Sequence, residues 1–215
     1  MNRTHLLVLA FVLIGLSTQA QVKLGLKFSP TLVSTRTFLQ SDTLDVDPAD
    51  RSFKFALGLI ADYELTETYF LSSGILVVPK RVGLTISPEN GGTYPASIEY
   101  YDLQYVQIPL TLKLYTNEIA PDASMFFQVG ATADFKVFEQ PVEEEYKFVE
   151  EFNAVDANVV LGGGFEYKAG LNTVLYLGAT YNRGLSSVIK TTQTALSEEF
   201  FVRTSVLMFD FGIKF

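Results

Sequence analysis

The sequence predicts an all-β protein, an eight-stranded antiparallel up-and-down transmembrane β-barrel, and three observations carry that prediction. Segments of roughly ten residues alternate large apolar with polar or small side chains at a period of two. The connections between them alternate long and short. The polar sides of the segments hold lysines and carboxylates of both signs, in a number that a soluble core would not tolerate.

At the N-terminus, Asn2 and Arg3 precede an apolar run from Leu6 to Leu16, which ends at Thr18, Gln19 and Ala20. This is the pattern of a secretory signal cut after Ala20, giving a signal peptide over 1–20 and a barrel over 21–215. The run is too short to anchor a membrane helix, and no later stretch is long and apolar enough to span as one. Cleavage removes the only His, His5, and the chain has no Cys. A chain without either has no thiolate or imidazole metal site, no Cys nucleophile and no His base. The sequence therefore offers no catalytic, cofactor-binding or metal-ligating residue. A formal charge of −8 also argues against nucleic acid as a partner, because phosphate neutralisation needs clustered Lys and Arg.

The first segment sets Val22, Leu24, Leu26 and Phe28 against Lys23, Gly25, Lys27 and Ser29. After a polar loop, the second sets Phe53, Phe55, Leu57, Leu59 and Tyr63 against Lys54, Ala56, Gly58 and Asp62. The third runs from Tyr69 to about Lys80 with Tyr69, Leu71, Ser73, Ile75 and Val77 outward; Leu76 and Val78 blur its inner side. A long loop is expected from Arg81 to Ile98, where Pro88, Asn90, Gly91, Gly92 and Pro95 cluster. The fourth segment, Glu99 to Thr116, is the clearest: Val106, Ile108, Leu110, Leu112 and Leu114 oppose Gln107, Pro109, Thr111 and Lys113. Pro109 cannot donate to a ladder, so a bulge or a missing bond is expected there.

A turn from Asn117 to Ser124 leads to the fifth segment, where Phe127, Val129, Ala131, Ala133, Phe135 and Val137 oppose Gln128, Gly130, Thr132, Asp134 and Lys136. An acidic loop follows, from Glu139 to Phe152. The sixth segment sets Val159, Leu161, Gly163, Phe165 and Tyr167 against Asn158, Val160, Gly162, Gly164 and Glu166. The seventh sets Leu175, Leu177, Ala179 and Tyr181 against Tyr176, Gly178, Thr180 and Asn182. A polar loop from about Gly184 to Glu199 precedes the last strand, with Leu207, Phe209, Phe211, Ile213 and Phe215 against Met208, Asp210, Gly212 and Lys214. Short turns on one side and long loops on the other are the asymmetry of transmembrane barrels. The charges would pair across a lumen filled by its own side chains.

The combination of QIPLTLK at Gln107 to Lys113, GGGFEY at Gly162 to Tyr167, YNRGLSSV at Tyr181 to Val188 and the closing FDFGIKF resembles the PorT-like outer-membrane barrel proteins of Bacteroidota. The resemblance runs through essentially the whole mature chain. It implies an eight-stranded outer-membrane barrel and, through the family's named member, an accessory role in type IX secretion. It carries over no functional residue.

Phe215, with Ile213 and Phe211 on its face, is the form of C-terminal signal read by the barrel-assembly machinery. The carboxylates Glu139, Glu143, Glu144, Glu145, Glu150 and Glu151 lack the fixed offsets and turn glycine of a Ca²⁺ site and read as a solvated, self-repelling outer loop. Gly162 to Gly164 have no helix after them, which excludes a phosphate loop and points to close backbone packing. Tyr63, Tyr69, Tyr115 and Phe126 lie near strand ends and are expected in an interfacial aromatic girdle. The function expected is that of a non-enzymatic structural or interaction protein of the cell outer membrane, displaying acidic loops and needing no cofactor. Its partners would be the bilayer, lipopolysaccharide, the assembly machinery and secretion components. A narrow porin and a soluble lipocalin-like ligand-binding barrel remain alternatives.

Overall fold

A computed structural model describes residues 22–39, 44–48, 52–88, 97–142, 149–192 and 200–215. The expected signal peptide lies outside these residues, as do Glu143 to Glu145 of the acidic cluster. Among the described residues eleven strands are seen: β1 (Val22–Leu39), β2 (Leu44–Pro48), β3 (Ser52–Glu64), β4 (Tyr69–Pro88), β5 (Ser97–Ala120), β6 (Ala123–Pro141), β7 (Val149–Phe152), β8 (Val155–Lys168), β9 (Val174–Gly184), β10 (Ile189–Thr192) and β11 (Phe200–Lys214). Eight of them form a closed antiparallel ring in the order β1, β3, β4, β5, β6, β8, β9, β11, with β11 pairing back onto β1. Closure leaves no open edge among these eight strands, which is what a hydrocarbon solvent demands.

The ring strands match the eight predicted segments and run further on the side of the long loops. β4 continues to Pro88 where a loop was expected after Lys80, pairing Val82 with Tyr101 and Leu84 with Glu99. The reason lies in its inner face, where Val82 and Leu84 keep the period of two and are fully buried. β2 adds to the outer end of β4. At the opposite end, the β5–β6 turn shrinks to Pro121 and Asp122, with Asp122 in the left-handed region at φ 60.

Odd positions of β5 and β6 face opposite ways across their register, so Leu110 meets Ala131 on the outer wall and Thr111 meets Gly130 inside. The central band of the outer wall is apolar: Leu161 is 63% exposed, Leu57 60% and Leu110 58%. Such a surface is stable only against lipid or another apolar phase. At Pro109 the ladder to β4 drops its pairs between Ser73–Leu110 and Leu76–Gln107, while the ladder to β6 stays regular at Pro109–Thr132. Ser73 donates to the Pro109 carbonyl instead, at 2.8 Å. The expected missing bond is therefore on one side only.

Glycines let strands of the wall approach their neighbours. A Cβ at Gly164 would stand 2.2 Å from the Leu177 carbonyl and 2.6 Å from the Cα of Gly178. At Gly212 it would lie 2.1 Å from the Tyr176 ring, so that glycine makes room for an aromatic side chain inside the barrel.

Candidate functional site

The lumen is the place where a barrel of this size could hold a ligand, pass a solute or do neither. Its side chains form layers along the axis. Next to the short turns, Lys113 donates to both carboxylate oxygens of Asp62 at 2.9 Å, and Lys214 bridges Asp62 and Glu166. Ser72 donates to Asp62, and the Tyr115 hydroxyl donates to Glu166 at 2.7 Å. One layer up, Lys27 pairs with Asp210 at 2.9 Å, and Ser29 and Thr180 donate to the same carboxylate. Gln128 donates to Thr180 at 2.7 Å, linking β6 to β9.

An apolar belt follows, made of Val33, Ala56, Leu76, Val78, Val206 and Met208. It explains why Leu76 and Val78 blurred the polar side of the third segment. Above it, Lys80 is 1% exposed and reaches Asp134 and Asp156, each at 2.8 Å. Gln107 donates to Asp134 at 2.9 Å, Ser186 donates to Asp156 at 2.6 Å, and the Lys80 ammonium sits 4.6 Å from the centre of the Tyr105 ring. Lys80 and Asp156 were not singled out in the sequence, because both fall at the margins of their segments. The parity of Leu76 and Val78, continued by two, is the signal in the sequence that could have placed Lys80 inside.

The outer mouth is closed by an apolar cap. β7 and β10 come from two different long connections and pair with each other, Ile189 opposite Phe152. They press Val149, Phe152, Val188 and Ile189 onto Val82, Leu84, Tyr101, Leu103, Tyr105 and Val202. Phe152 meets Tyr101 edge to face with centroids 5.1 Å apart. Val188 donates its N–H to Val202 at 2.7 Å, Asn153 donates to the Ser187 carbonyl at 2.8 Å, and Lys136 donates to the Phe152 carbonyl at 2.6 Å. Two stretches expected as polar loops thus contribute the plug. Phe152 and Val149 stand out as apolar within the acidic run, and they are the residues that turn inward.

Two open spaces are lined by described residues. A void of about 40 Å³ lies between the layers, lined by Lys27, Gln107, Thr111, Lys113 and Asp210 among others. At the short-turn end a vestibule of about 300 Å³ is bounded by Lys23, Glu64, Phe70, Tyr115, Glu166 and Lys168. Tyr115 and Phe126 belong to this interior and not to the girdle expected of them. Tyr115 shares the parity of Lys113, and Phe126, 3% exposed, shares that of Gln128. Tyr63 and Tyr69 do face outward near the same rim. Lys54 also departs from expectation: its ammonium meets Asp102 at 3.0 Å beside Arg81, which forms two hydrogen bonds to the Asp102 carboxylate on the outer wall. Within the acidic cluster, Glu139 pairs with Lys136 and Glu151 with Lys190. Among the described residues no group of three or more His, Cys, Asp and Glu side chains is placed to hold a metal ion.

With this geometry in view, the sequence matches the model of the outer membrane protein beta-barrel domain over residues 16–190. The chain belongs to this family. Its fold is shared with the outer membrane protein OprG from Pseudomonas aeruginosa, at a TM-score of 0.59 and 14% identity, over 91% of this chain and 96% of that one. The outer membrane protease OmpT from Escherichia coli superimposes at a TM-score of 0.54 and 6% identity, over 92% and 97% of the respective chains. No curated protein sequence matches the chain significantly. Family membership and the apolar outer wall together place this barrel in the outer membrane, with its strands in the bilayer alongside lipopolysaccharide.

Proposed function

We propose that this outer-membrane barrel is non-conducting and non-enzymatic and works through its surfaces, as a structural or interaction protein. The observation that carries the reading is the stacked closure of the lumen: ion-paired layers below, the Lys80 cluster above, and an apolar cap over the mouth. Each of the lumen carboxylates Asp62, Asp134, Asp156, Glu166 and Asp210 is held by a lysine, which leaves these five poorly suited to act as a base. The four motifs shared with PorT-like barrels support a place beside secretion machinery, and the signal-like N-terminus supports export with cleavage after Ala20. Reconstitution into planar bilayers tests the central point. Wild-type protein is expected to give no steady open-channel current, and a stable conductance step would overturn the proposal. Secretion and surface adhesion in a deletion strain test the accessory role, which predicts a defect in at least one of them.

A further inference from the structure

The three short turns share a pattern that the closed lumen does not explain. Each sends polar residues inward to line the vestibule at the short-turn end, and each leaves one aliphatic side chain exposed at its tip. Glu64 and Glu67 flank Leu65, Thr116 and Asp122 flank Ile119, and Lys168 and Val174 flank Leu171, which is completely exposed. Turn positions ordinarily take glycine, proline or small polar residues. Short turns face the periplasm in a transmembrane barrel, so the three tips stand around a polar hollow of about 300 Å³ on the periplasmic side.

The turns are held in place. Leu65 and Thr66 donate their N–H groups to the Tyr69 carbonyl at 2.9 and 3.1 Å, and the Tyr115 N–H donates to the Thr68 carbonyl at 2.8 Å. Lys168 donates its N–H to the Asp122 carbonyl at 2.8 Å, which ties the β5–β6 turn to the end of β8. Ala169 and Gly170 close the third turn on the Thr173 carbonyl. A surface fixed in this way loses little freedom on binding. Its charge is unbalanced. Lys168 pairs with Glu118 at 2.8 Å, Lys113 and Lys214 hold Asp62 and Glu166, and the Lys23 ammonium lies 5.3 Å from the centre of the Phe70 ring. No lysine or arginine among the described residues forms an ion pair with Glu64, Glu67 or Asp122, although Asp122 lies in the field of the Lys168 ammonium. Across the vestibule and the groups paired with its lining, six carboxylates therefore face four lysines.

We propose that this rim docks a basic peptide segment of a periplasmic protein, with a lysine or arginine side chain in the vestibule and neighbouring aliphatic residues on Leu65, Ile119 and Leu171. Charge complementarity selects the occupant, because the carboxylates of Glu64, Glu67 and Asp122 are in surplus and accept from a cation. The tips select its form. A small amine would enter the hollow and leave them in water, whereas a chain that alternates basic and aliphatic residues meets both features. Docking of this kind rests on the reading of the barrel as a protein that works through its surfaces. The two fail separately, because conductance reports on the lumen and peptide binding on the rim.

The test places the purified protein in phosphatidylcholine nanodiscs, open to water on both faces, with folding checked by the gel shift between unheated and boiled protein. A fluorescent, end-capped hexapeptide of lysine, leucine and glycine is expected to bind above the background of empty nanodiscs, read by anisotropy. Affinity should fall about tenfold or more in Glu64→Gln/Glu67→Gln/Asp122→Asn, where Asn suits the left-handed turn position, and several-fold in Ile119→Ser/Leu171→Ser. Glu151→Gln, on the opposite mouth, should bind as the wild type does. The peptide with glutamate for lysine should not bind, serine for leucine should weaken it several-fold, and spermidine at equal charge should not displace it. A spin-labelled Leu171→Cys variant should meet a water-soluble nickel chelate freely and lose that contact when peptide is added. No binding by the wild type, unchanged binding in the triple variant, equal binding of the acidic peptide, an equal loss in Glu151→Gln, or displacement by spermidine would each overturn the docking site. Oxygen contact without nickel contact at Leu171→Cys would also overturn it, by putting the tips in the bilayer. If the triple variant fails the folding check, Glu67→Gln and Leu171→Ser alone decide, and wild-type affinity in both would overturn it.

Discussion

Lys80 shows most plainly what single residues do here. Its ammonium is the shared counter-ion of Asp134 and Asp156, inside a wall with almost no access to water. Replacing it by Met leaves two buried carboxylates facing each other, and removal of one partner from such a pair typically costs about 3–5 kcal/mol. Urea unfolding in lipid vesicles should show Lys80→Met destabilised by that order, with much of the loss recovered when Asp134→Asn and Asp156→Asn are added. An unchanged midpoint in the single variant would show that the cluster is solvated. Several lumen residues were legible from alternation alone, among them Lys27, Asp62, Lys113, Asp134, Glu166, Asp210 and Lys214. Which of them pair was not legible, because Lys214 meets Asp62 across β11, β1 and β3, a relation set by register and barrel shear.

Among the elements, β5 concentrates the logic of the wall. Its even positions from Val106 to Leu114 face lipid, and its odd positions Gln107, Thr111 and Lys113 enter the lumen network. A charge on the outer side, Leu110→Arg, should cost about 2–4 kcal/mol if the site lies near the bilayer midplane. Equilibrium unfolding in vesicles measures this, and a loss below half a kcal/mol would argue that Leu110 faces something polar. β11 ends at Phe215, whose N–H donates to the Leu24 carbonyl at 2.7 Å and completes the seam with β1. Deleting Phe215 should slow assembly, seen as accumulation of the heat-insensitive, unfolded band in pulse-chase gels. The same rate as wild type would remove the assembly signal from this end. β7 and β10 were hidden in the sequence because four-residue strands carry too few alternations to register as a pattern. Their pairing joins two connections far apart in the chain, which no local period can reveal.

For the molecule as a whole, the closed ring was readable because a membrane barrel must repeat one constraint eight times: apolar outside, small or polar inside, short turns at one rim. The layered interior was not, since an apolar belt at Leu76, Val78 and Met208 breaks the rule that inward means polar. The cap is the other exception, apolar where the sequence looked acidic or polar. Both exceptions bear on function, because together with the ion-paired layers they convert a tube into a plugged cylinder. Even positions of β5 then meet lipid, and odd positions meet neither lipid nor bulk water. A chain without cysteine allows this to be measured directly. Single variants Ile108→Cys, Leu110→Cys, Thr111→Cys and Leu112→Cys, spin-labelled and placed in vesicles, report collisions with oxygen, which concentrates in lipid, and with a water-soluble nickel chelate. Strong oxygen contact and no nickel contact are expected at Ile108, Leu110 and Leu112, and neither at Thr111. Nickel access at Leu110 would contradict the membrane wall, and nickel access at Thr111 would contradict the closed lumen.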